Sequence, residues 1–530
     1  MMLILDPLWA LICWFGVSAN VVNAVPTKPV CSLSTKPTIP GADVLSIQST
    51  HLQNTTVAAF SPLLNANVTG LDVCSVDLVI SHHGANDSVK IKVWLPTSGW
   101  NGRYLATGGS GYAAGLFEYN LAPVVKLGYA AASTDAGLSG DPYTPQAWAL
   151  KKDGTVNVDL LTNFASRSVH DMAVAGKLIT AQYYGQQPHH SYWSGCSTGG
   201  RQGLMSAQKY PQDFDGIVAG SPAIDWARYV VAEQWPQVVM NEEGVFPSPC
   251  VLQTFTNASI AACDTLDGVQ DGVISNPQSC KFNPLSLVGT TVKCADGEEV
   301  ITQKVASVVA SITHGPPASD PTYPHPYSLN PGTALDTLAN TTLVNGTRIG
   351  VPFFVNAGWI EFFVKKDPSF NLSSINYTSF KDIFVQSQHE YGSIIGSNNP
   401  DLSRFQAGDG KAIVWHGLAD QIIYPGDTVN YYSRVEAVFR NSTLVDQFYR
   451  TFLAPGVDHC GISQGAVPVD PLSALVAWVE DQNAPDVLPA RKVEPDGTIV
   501  TRDICRYPLF SRYNGTGDVN LATSYTCAPV

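Results

Sequence analysis

Short apolar runs separated by glycine-rich or polar turns recur at both ends of the chain, and their spacing sorts them into strands and helices. Residues Ser88 to Leu95 alternate apolar and polar positions, the period of a strand with one covered face. Arg103 to Thr107 is a second strand, opening into Gly108-Gly109-Ser110-Gly111-Tyr112. A short helix is predicted over Leu121 to Leu127, ahead of a strand from Tyr129 to Asp135. From Arg167 to Tyr184 the residues Val169, Met172, Ala173, Ala175, Gly176 and Ile179 fall toward one side of a helix. Tyr192-Trp193-Ser194, Gly216 to Gly220, Lys411 to Gly417 and Gln447 to Leu453 read as further strands. Strand alternating with helix in this way predicts an α/β protein with a mostly parallel sheet and helices on both faces.

Between Gly220 and Gly410 the alternation stops, and the sequence becomes rich in Pro, Asn and Cys. The expected organisation is a catalytic domain from residues 25–222 and 408–530, interrupted by a lid domain at 223–407. The aromatic run from Phe353 to Phe363 is expected mainly as lid core, with a pocket wall as its alternative role.

One turn carries the chemistry. Gly195-Cys196-Ser197-Thr198-Gly199 lies between a strand and a helix-like stretch, and G-x-S-x-G at that junction is the nucleophile elbow of the α/β-hydrolase fold. Glycines let the backbone bend sharply enough to raise a serine hydroxyl above the sheet. The triad then runs serine, acid, histidine along the chain. Asp420 and His459 follow the last two predicted strands in that order. Ser197 would be the nucleophile, His459 its base, and Asp420 the group that orients the imidazole. The oxyanion hole is expected from the backbone N–H of Thr198 and one from the Gly108–Gly111 loop. Gly109 is taken as the loop donor, with Gly108 and Ser110 open alternatives. Cys196 precedes the serine and Cys460 follows the histidine, so a working triad would bring these two cysteines together.

Composition narrows the setting. A net charge of −14 argues against nucleic acid or an anionic membrane surface as a partner. The apolar segment Leu8 to Ala19, followed by Val22-Asn23-Ala24, predicts a secretory signal over residues 1–24, although its leading segment has no Lys or Arg. Of 11 cysteines, Cys13 lies in that leader; the other ten form no CxxC pair and predict disulfides in an exported protein. Sequons at Asn54, Asn67, Asn86, Asn257, Asn340, Asn345, Asn371, Asn376, Asn441 and Asn514 predict glycosylation. Within the interruption, Asp264, Asp267 and Asp271 place three carboxylates in eight residues beside glycines, a candidate structural calcium loop.

The elbow Gly195-Cys196-Ser197-Thr198-Gly199-Gly200-Arg201, the Asp420 loop and the His459-Cys460-Gly461 ending resemble the tannase and feruloyl esterase family over nearly the whole mature chain. The resemblance implies a disulfide Cys196–Cys460, with Cys31–Cys74, Cys263–Cys280 and Cys505–Cys527, leaving Cys250–Cys294. It also implies calcium bound by Asp264, Asp267 and Asp271 with the carbonyls of Val269 and Val273. No organic cofactor is expected.

The function expected on this basis is a secreted serine carboxylic ester hydrolase that releases a feruloyl-type phenolic acid from plant polysaccharide or conjugate esters. A tannase acting on galloyl esters is the alternative within the family. Another serine hydrolase, lipase-like or a peptidase, or an inactive binding protein on the same fold, are the alternatives outside it. The sequence leaves the oligomeric state open.

Overall fold

The computed structural model describes residues 30–529, apart from 61–63, 296, 318, 325–326 and 462–463. The predicted leader at 1–24 lies outside the described residues. A nine-stranded sheet organises the chain. Its strands are β1 (Ala42–Val57), β2 (Val68–His82), β3 (Val89–Pro96), β4 (Arg103–Thr107), β5 (Ala130–Thr134), β6 (His190–Cys196), β7 (Gly216–Gly220), β8 (Lys411–Gly417) and β9 (Tyr449–Ala454). They lie in the order β1-β2-β3-β5-β4-β6-β7-β8-β9. Pairing is parallel from β5 through β9 and antiparallel among β1, β2, β3 and β5. The fold is therefore α/β with a mostly parallel sheet, as the alternation predicts.

The parallel strands are buried over most of their length, because both faces are covered. Helices α2 (Ser168–Tyr184), α3 (Thr198–Lys209) and α4 (Pro425–Phe439) cover one face, with Met172, Leu204 and Val435 packed among Tyr104, Trp193 and Val414. The opposite face carries α1 (Glu118–Lys126) over Trp94 and Ala131, and α5 (Pro471–Asp481) over Tyr192, Ile413 and Trp415. Trp193 joins strand to helix: its fully buried indole N–H donates to the Gly199 carbonyl at 2.9 Å. Trp193→Ala would open a cavity costing about 3–5 kcal/mol.

The segment between β7 and β8 folds into helices and two small hairpins, Thr291–Cys294 with Gly297–Val300 and Thr341–Val344 with Thr347–Gly350. Its core is continuous with that of the sheet's loops: Trp226, Trp359 and Phe363 pack in one cluster with Tyr112, Trp148 and Phe164. The Phe353–Phe363 run is core over most of its length. Trp359, Ile360, Phe362 and Phe363 are buried, while Phe354 is 44% exposed and meets Tyr143 edge-on at 5.0 Å.

All five expected disulfides are formed: Cys31–Cys74, Cys196–Cys460, Cys250–Cys294, Cys263–Cys280 and Cys505–Cys527. Such a set belongs to an oxidising compartment. Among the described residues no helix is long and apolar enough to cross a membrane.

Two features had no counterpart in the sequence reading. The long strands β1 and β2 extend the sheet at its antiparallel edge; β1 packs Ala42, Val44, Ile47, Leu52 and Val57 against the core, but bulges and interspersed polar residues break the apolar alternation that would mark it. A three-stranded antiparallel sheet (Val467–Pro468, Val487–Val493, Ile499–Cys505) closes the C-terminal end.

Candidate active site

Ser197 stands at the end of β6 with φ 62° and ψ −123°, a strained conformation for a residue with a Cβ. The turn is held because nothing else fits. A Cβ on Gly195 would lie 2.7 Å from the Gly199 backbone, and one on Gly200 would lie 2.4 Å from the Gly220 carbonyl. Ser197 N–H donates to Gly220 O at 3.0 Å, and Ser197 O accepts from Ala223 N at 3.1 Å, tying the elbow to the end of β7.

Asp420 lies beyond the end of β8 and is completely buried on its side chain. One carboxylate oxygen, Oδ1, accepts the backbone N–H groups of Ile422 and Ile423 at 2.9 and 2.8 Å. The other, Oδ2, lies 2.8 Å from His459 Nδ1 and 3.1 Å from His416 Nε2. Burial by itself would push this carboxyl up. The His459 charge and the two imidazole hydrogen bonds outweigh it and hold Asp420 well below the usual carboxylate range. With Nδ1–H given to Asp420, His459 keeps Nε2 as its free acceptor. The His459 backbone N–H donates to Gln421 Oε1 at 3.0 Å, which fixes the loop that carries it.

The Cys196–Cys460 disulfide joins the neighbours of Ser197 and His459 across 264 residues, with Cα atoms 6.0 Å apart. Ser197, His459 and Asp420 are thus linked by two short connections, one covalent and one hydrogen-bonded.

The loop after β4 departs from expectation at one atom. Gly109 N–H donates to the Gln202 side chain at 3.0 Å, so it is not the free oxyanion donor the sequence suggested. Gly108 N–H is likewise bound, to Ser194 O at 3.2 Å. Thr198 begins α3, where backbone N–H groups have no partner within the helix, and its hydroxyl donates to Gly111 O at 2.7 Å.

Two carboxyls lie near Asp420, one half-buried and one fully buried. Asp458, next to His459, is pushed up to about 7 by burial and by the Asp420 charge. Glu233 is raised well above the usual range by burial, then by Asp420 and Asp427, and neither of its carboxyl oxygens has a hydrogen-bond partner. Arg201, the residue closing the elbow motif, is fully buried; it donates to the carbonyls of Ala165 and Phe164 at 2.8 and 3.0 Å and lies over the Phe164 ring. Sequence reasoning missed His416, Gln202, Gln421 and Glu233. Only Gln202 carried a signal, its place one turn into the helix after the elbow.

The acidic loop is arranged differently from a metal cage. Asp264 accepts the N–H groups of Asp271 and Gly272, Asp267 accepts from Val269 N and the Ser275 hydroxyl, and Asp271 pairs with Arg502 at 2.9 Å. Among the described residues no three or more His, Cys, Asp or Glu side chains are gathered to hold a metal. The calcium expectation for Asp264, Asp267, Val269, Asp271 and Val273 therefore finds no support in this arrangement, because each carboxylate is turned to an amide, a hydroxyl or a guanidinium.

Comparison with known proteins places the chain in one family. The model of the family described as tannase and feruloyl esterase matches residues 73–528. A protein of Arthroderma benhamiae named probable feruloyl esterase is 48% identical over 505 residues, covering 94% of this chain and 93% of its own. Feruloyl esterase B of Aspergillus niger is 31% identical over 499 residues, 90% of each chain. Among solved structures, tannin acyl hydrolase from Aspergillus niger superposes with a TM-score of 0.83 at 26% identity, covering 92% of both chains. Feruloyl esterase B from Aspergillus oryzae gives 0.76 at 25% identity, covering 93% of this chain and 98% of its own. A family match over most of the length, together with relatives that align end to end, identifies the chain as a member of the tannase and feruloyl esterase family.

Proposed function

We propose that this protein is a secreted serine esterase that releases a feruloyl-type phenolic acid from plant polysaccharide or conjugate esters. The observation that carries the serine mechanism is the pairing of Ser197 with the His459–Asp420 couple through Cys196–Cys460. The acyl preference rests on the 48% identity to a protein named probable feruloyl esterase.

In this reading Ser197 Oγ attacks the ester carbonyl while His459 Nε2 takes its proton. Asp420 keeps Nδ1–H in place and stabilises the imidazolium that forms. The Thr198 N–H, with a loop amide beyond Gly109, receives the carbonyl oxygen as it becomes negative. His459 then protonates the leaving alcohol, and the same histidine activates water to release the acid.

The segment at 223–407 is proposed as the lid and acyl-binding wall over a catalytic domain formed by 25–222 and 408–530. Its packing on Tyr112, just past the oxyanion loop, supports that role. A structural calcium ion in the 264–273 loop is proposed on donor chemistry alone, since hard carboxylate and carbonyl oxygens suit it. Glycosylation of the ten sequons is supported by the exposure of all of them except Asn340, which is half-buried.

The similarity to tannin acyl hydrolase, with a TM-score of 0.83, favours galloyl esters as the second reading. Measuring kcat/KM on methyl ferulate, methyl caffeate, methyl gallate and a long-chain fatty ester, beside Ser197→Ala, separates the two. A cinnamate preference abolished in the variant is expected. A gallate preference would make the protein a tannase, activity on the fatty ester alone would make it a lipase, and turnover surviving in Ser197→Ala would end the serine mechanism.

A further inference from the structure

Gln202 lies on α3, in the turn after Ser197, and is completely buried. Its carboxamide is used at both ends. Oε1 accepts Gly109 N–H at 3.0 Å, and Nε2 donates to Ala114 O at 3.1 Å. These two points bracket the stretch Ser110 to Ala113, a tight turn in which Ser110 pairs with Ala113 and Ala113 N–H donates to Ser110 O at 2.9 Å.

The rest of the loop is anchored both to the elements around Ser197 and to neighbouring segments, where Tyr112 donates from its N–H to Pro142 O and from its hydroxyl to Val355 O, each at 2.7 Å. Gly109 O accepts from Gly199 N at 3.1 Å, and Gly111 O accepts from the Thr198 hydroxyl at 2.7 Å. Asn120 adds one bond from α1, to Gly108 O at 2.8 Å. No wider side chain could be placed here: a Cβ on Gly109 would fall 1.9 Å from Ala113 O, and one on Gly108 would fall 2.4 Å from Gly199 Cα.

We propose that Gln202 is the positioning residue of the oxyanion loop. It removes Gly109 N–H from the site and fixes the turn that carries the Gly111 amide, the loop N–H assigned to the tetrahedral oxygen that Ser197 generates. The role needs one acceptor and one donor on the same planar group, which a carboxamide supplies and an ionised carboxylate does not. Preorganised donors act only when held where charge develops, so small displacements of this loop fall on kcat more than on KM. The proposal rests on the serine-esterase reading above.

The test uses the full-length secreted enzyme, first established as active and Ser197-dependent on methyl ferulate or methyl gallate. Failure of that first step would reject the esterase reading, not the role of Gln202. In Gln202→Glu an ionised oxygen faces the Ala114 carbonyl, whereas the protonated acid restores a donor there. The ratio of variant to wild-type kcat is therefore expected to rise as pH falls, from a loss of about 100-fold at neutral pH. Gln202→Met, which removes both polar atoms at similar volume, should lose kcat at every pH with KM within about threefold. Phenylboronic acid, which forms a tetrahedral adduct on the serine, should lose affinity in step with kcat, while binding of the free product acid stays unchanged. A folded Met or Glu variant with wild-type kcat, or a loss equal at all pH values in Glu and Met alike, overturns the proposal.

Discussion

His416 Nε2 lies 3.1 Å from Asp420 Oδ2, the same carboxylate oxygen that holds His459. That nitrogen also faces the Ile423 carbonyl at 3.2 Å, so it carries the proton, and Nδ1 meets the Thr428 hydroxyl at 2.7 Å. The carboxylate proposed as the triad acid is thus shared by two imidazoles, His459 and the wholly buried His416.

Removing the rear imidazole should be felt at both levels. His416→Phe leaves Asp420 with one fewer charge-assisted bond in a water-free place, a loss of about 1.5–3 kcal/mol. The stability that Asp420 provides is present above its unfolded pKa and lost as pH falls through its depressed folded value. The variant should therefore begin to lose stability at higher pH than the wild type on acidification, as followed by urea melts. A variant with unchanged acid sensitivity would show that His416 only fills space.

The disulfide next to Ser197, the proposed nucleophile, should matter to rate as well as to stability. With Cys196 and Cys460 both replaced by Ser, chain entropy predicts a loss of up to about 5 kcal/mol for so large a loop. The folded double variant should also show kcat lowered by about tenfold or more, because looser placement of Ser197 against His459 is costly. Equal kcat in the folded double variant would mean that the bridge does not preorganise the site.

Asp458 gives a pH dependence of opposite sign. Its carboxyl is raised from 3.8 to about 7, first by burial and then by Asp420. A raised acid contributes stability at low pH that is lost as pH rises through the folded value, here between about 4 and 7. Asp458→Asn should therefore leave stability near pH 4 little changed and raise it by roughly 2 kcal/mol at pH 8, after allowance for solvent screening. Parallel wild-type and variant curves from pH 4 to 8 would remove the claim.

EDTA tests the calcium proposal directly. An ion bound only to the folded protein stabilises it by about 2.7 kcal/mol at a hundredfold excess over Kd, so chelation should lower Tm by about 2–3 °C in a chain of this size. Asp267→Ala should lower Tm and abolish the response to EDTA. An unmoved Tm, with no calcium by elemental analysis, would leave the loop as it stands here, closed by its own amides and Arg502.

The legible parts of this protein are those where one residue type alone will do. Gly195, Gly199 and Gly200 mark the elbow because a Cβ at any of them meets backbone. The apolar runs of β4, β7 and β8 mark buried parallel strands because both faces are covered. The pairing of Asp420 with His459 follows from their order after two such strands, whose neighbouring ends bring the two loops together. By contrast, the commitment of Gly109 N–H depends on a side chain 93 residues away, and no local pattern announces it. His416 looked like one more residue of a strand, since its role arises only when the chain doubles back to Asp420. The edge strand β1 stayed hidden because half-solvated polar residues can form it as well as apolar ones.

The bridge between Cys196 and Cys460 turns residues 196–460 into a covalent ring. A single proteolytic cut inside that ring, for example at the exposed turn Asn345-Gly346, opens the backbone without separating the two ends. The nicked molecule would still carry Ser197 and His459 on one connected piece. It would run as a single species on a non-reducing gel and split in two only after reduction. A break in the segment between β7 and β8 is thereby uncoupled from separation of Ser197 and His459, because the bridge rather than the intervening backbone keeps the two on one molecule.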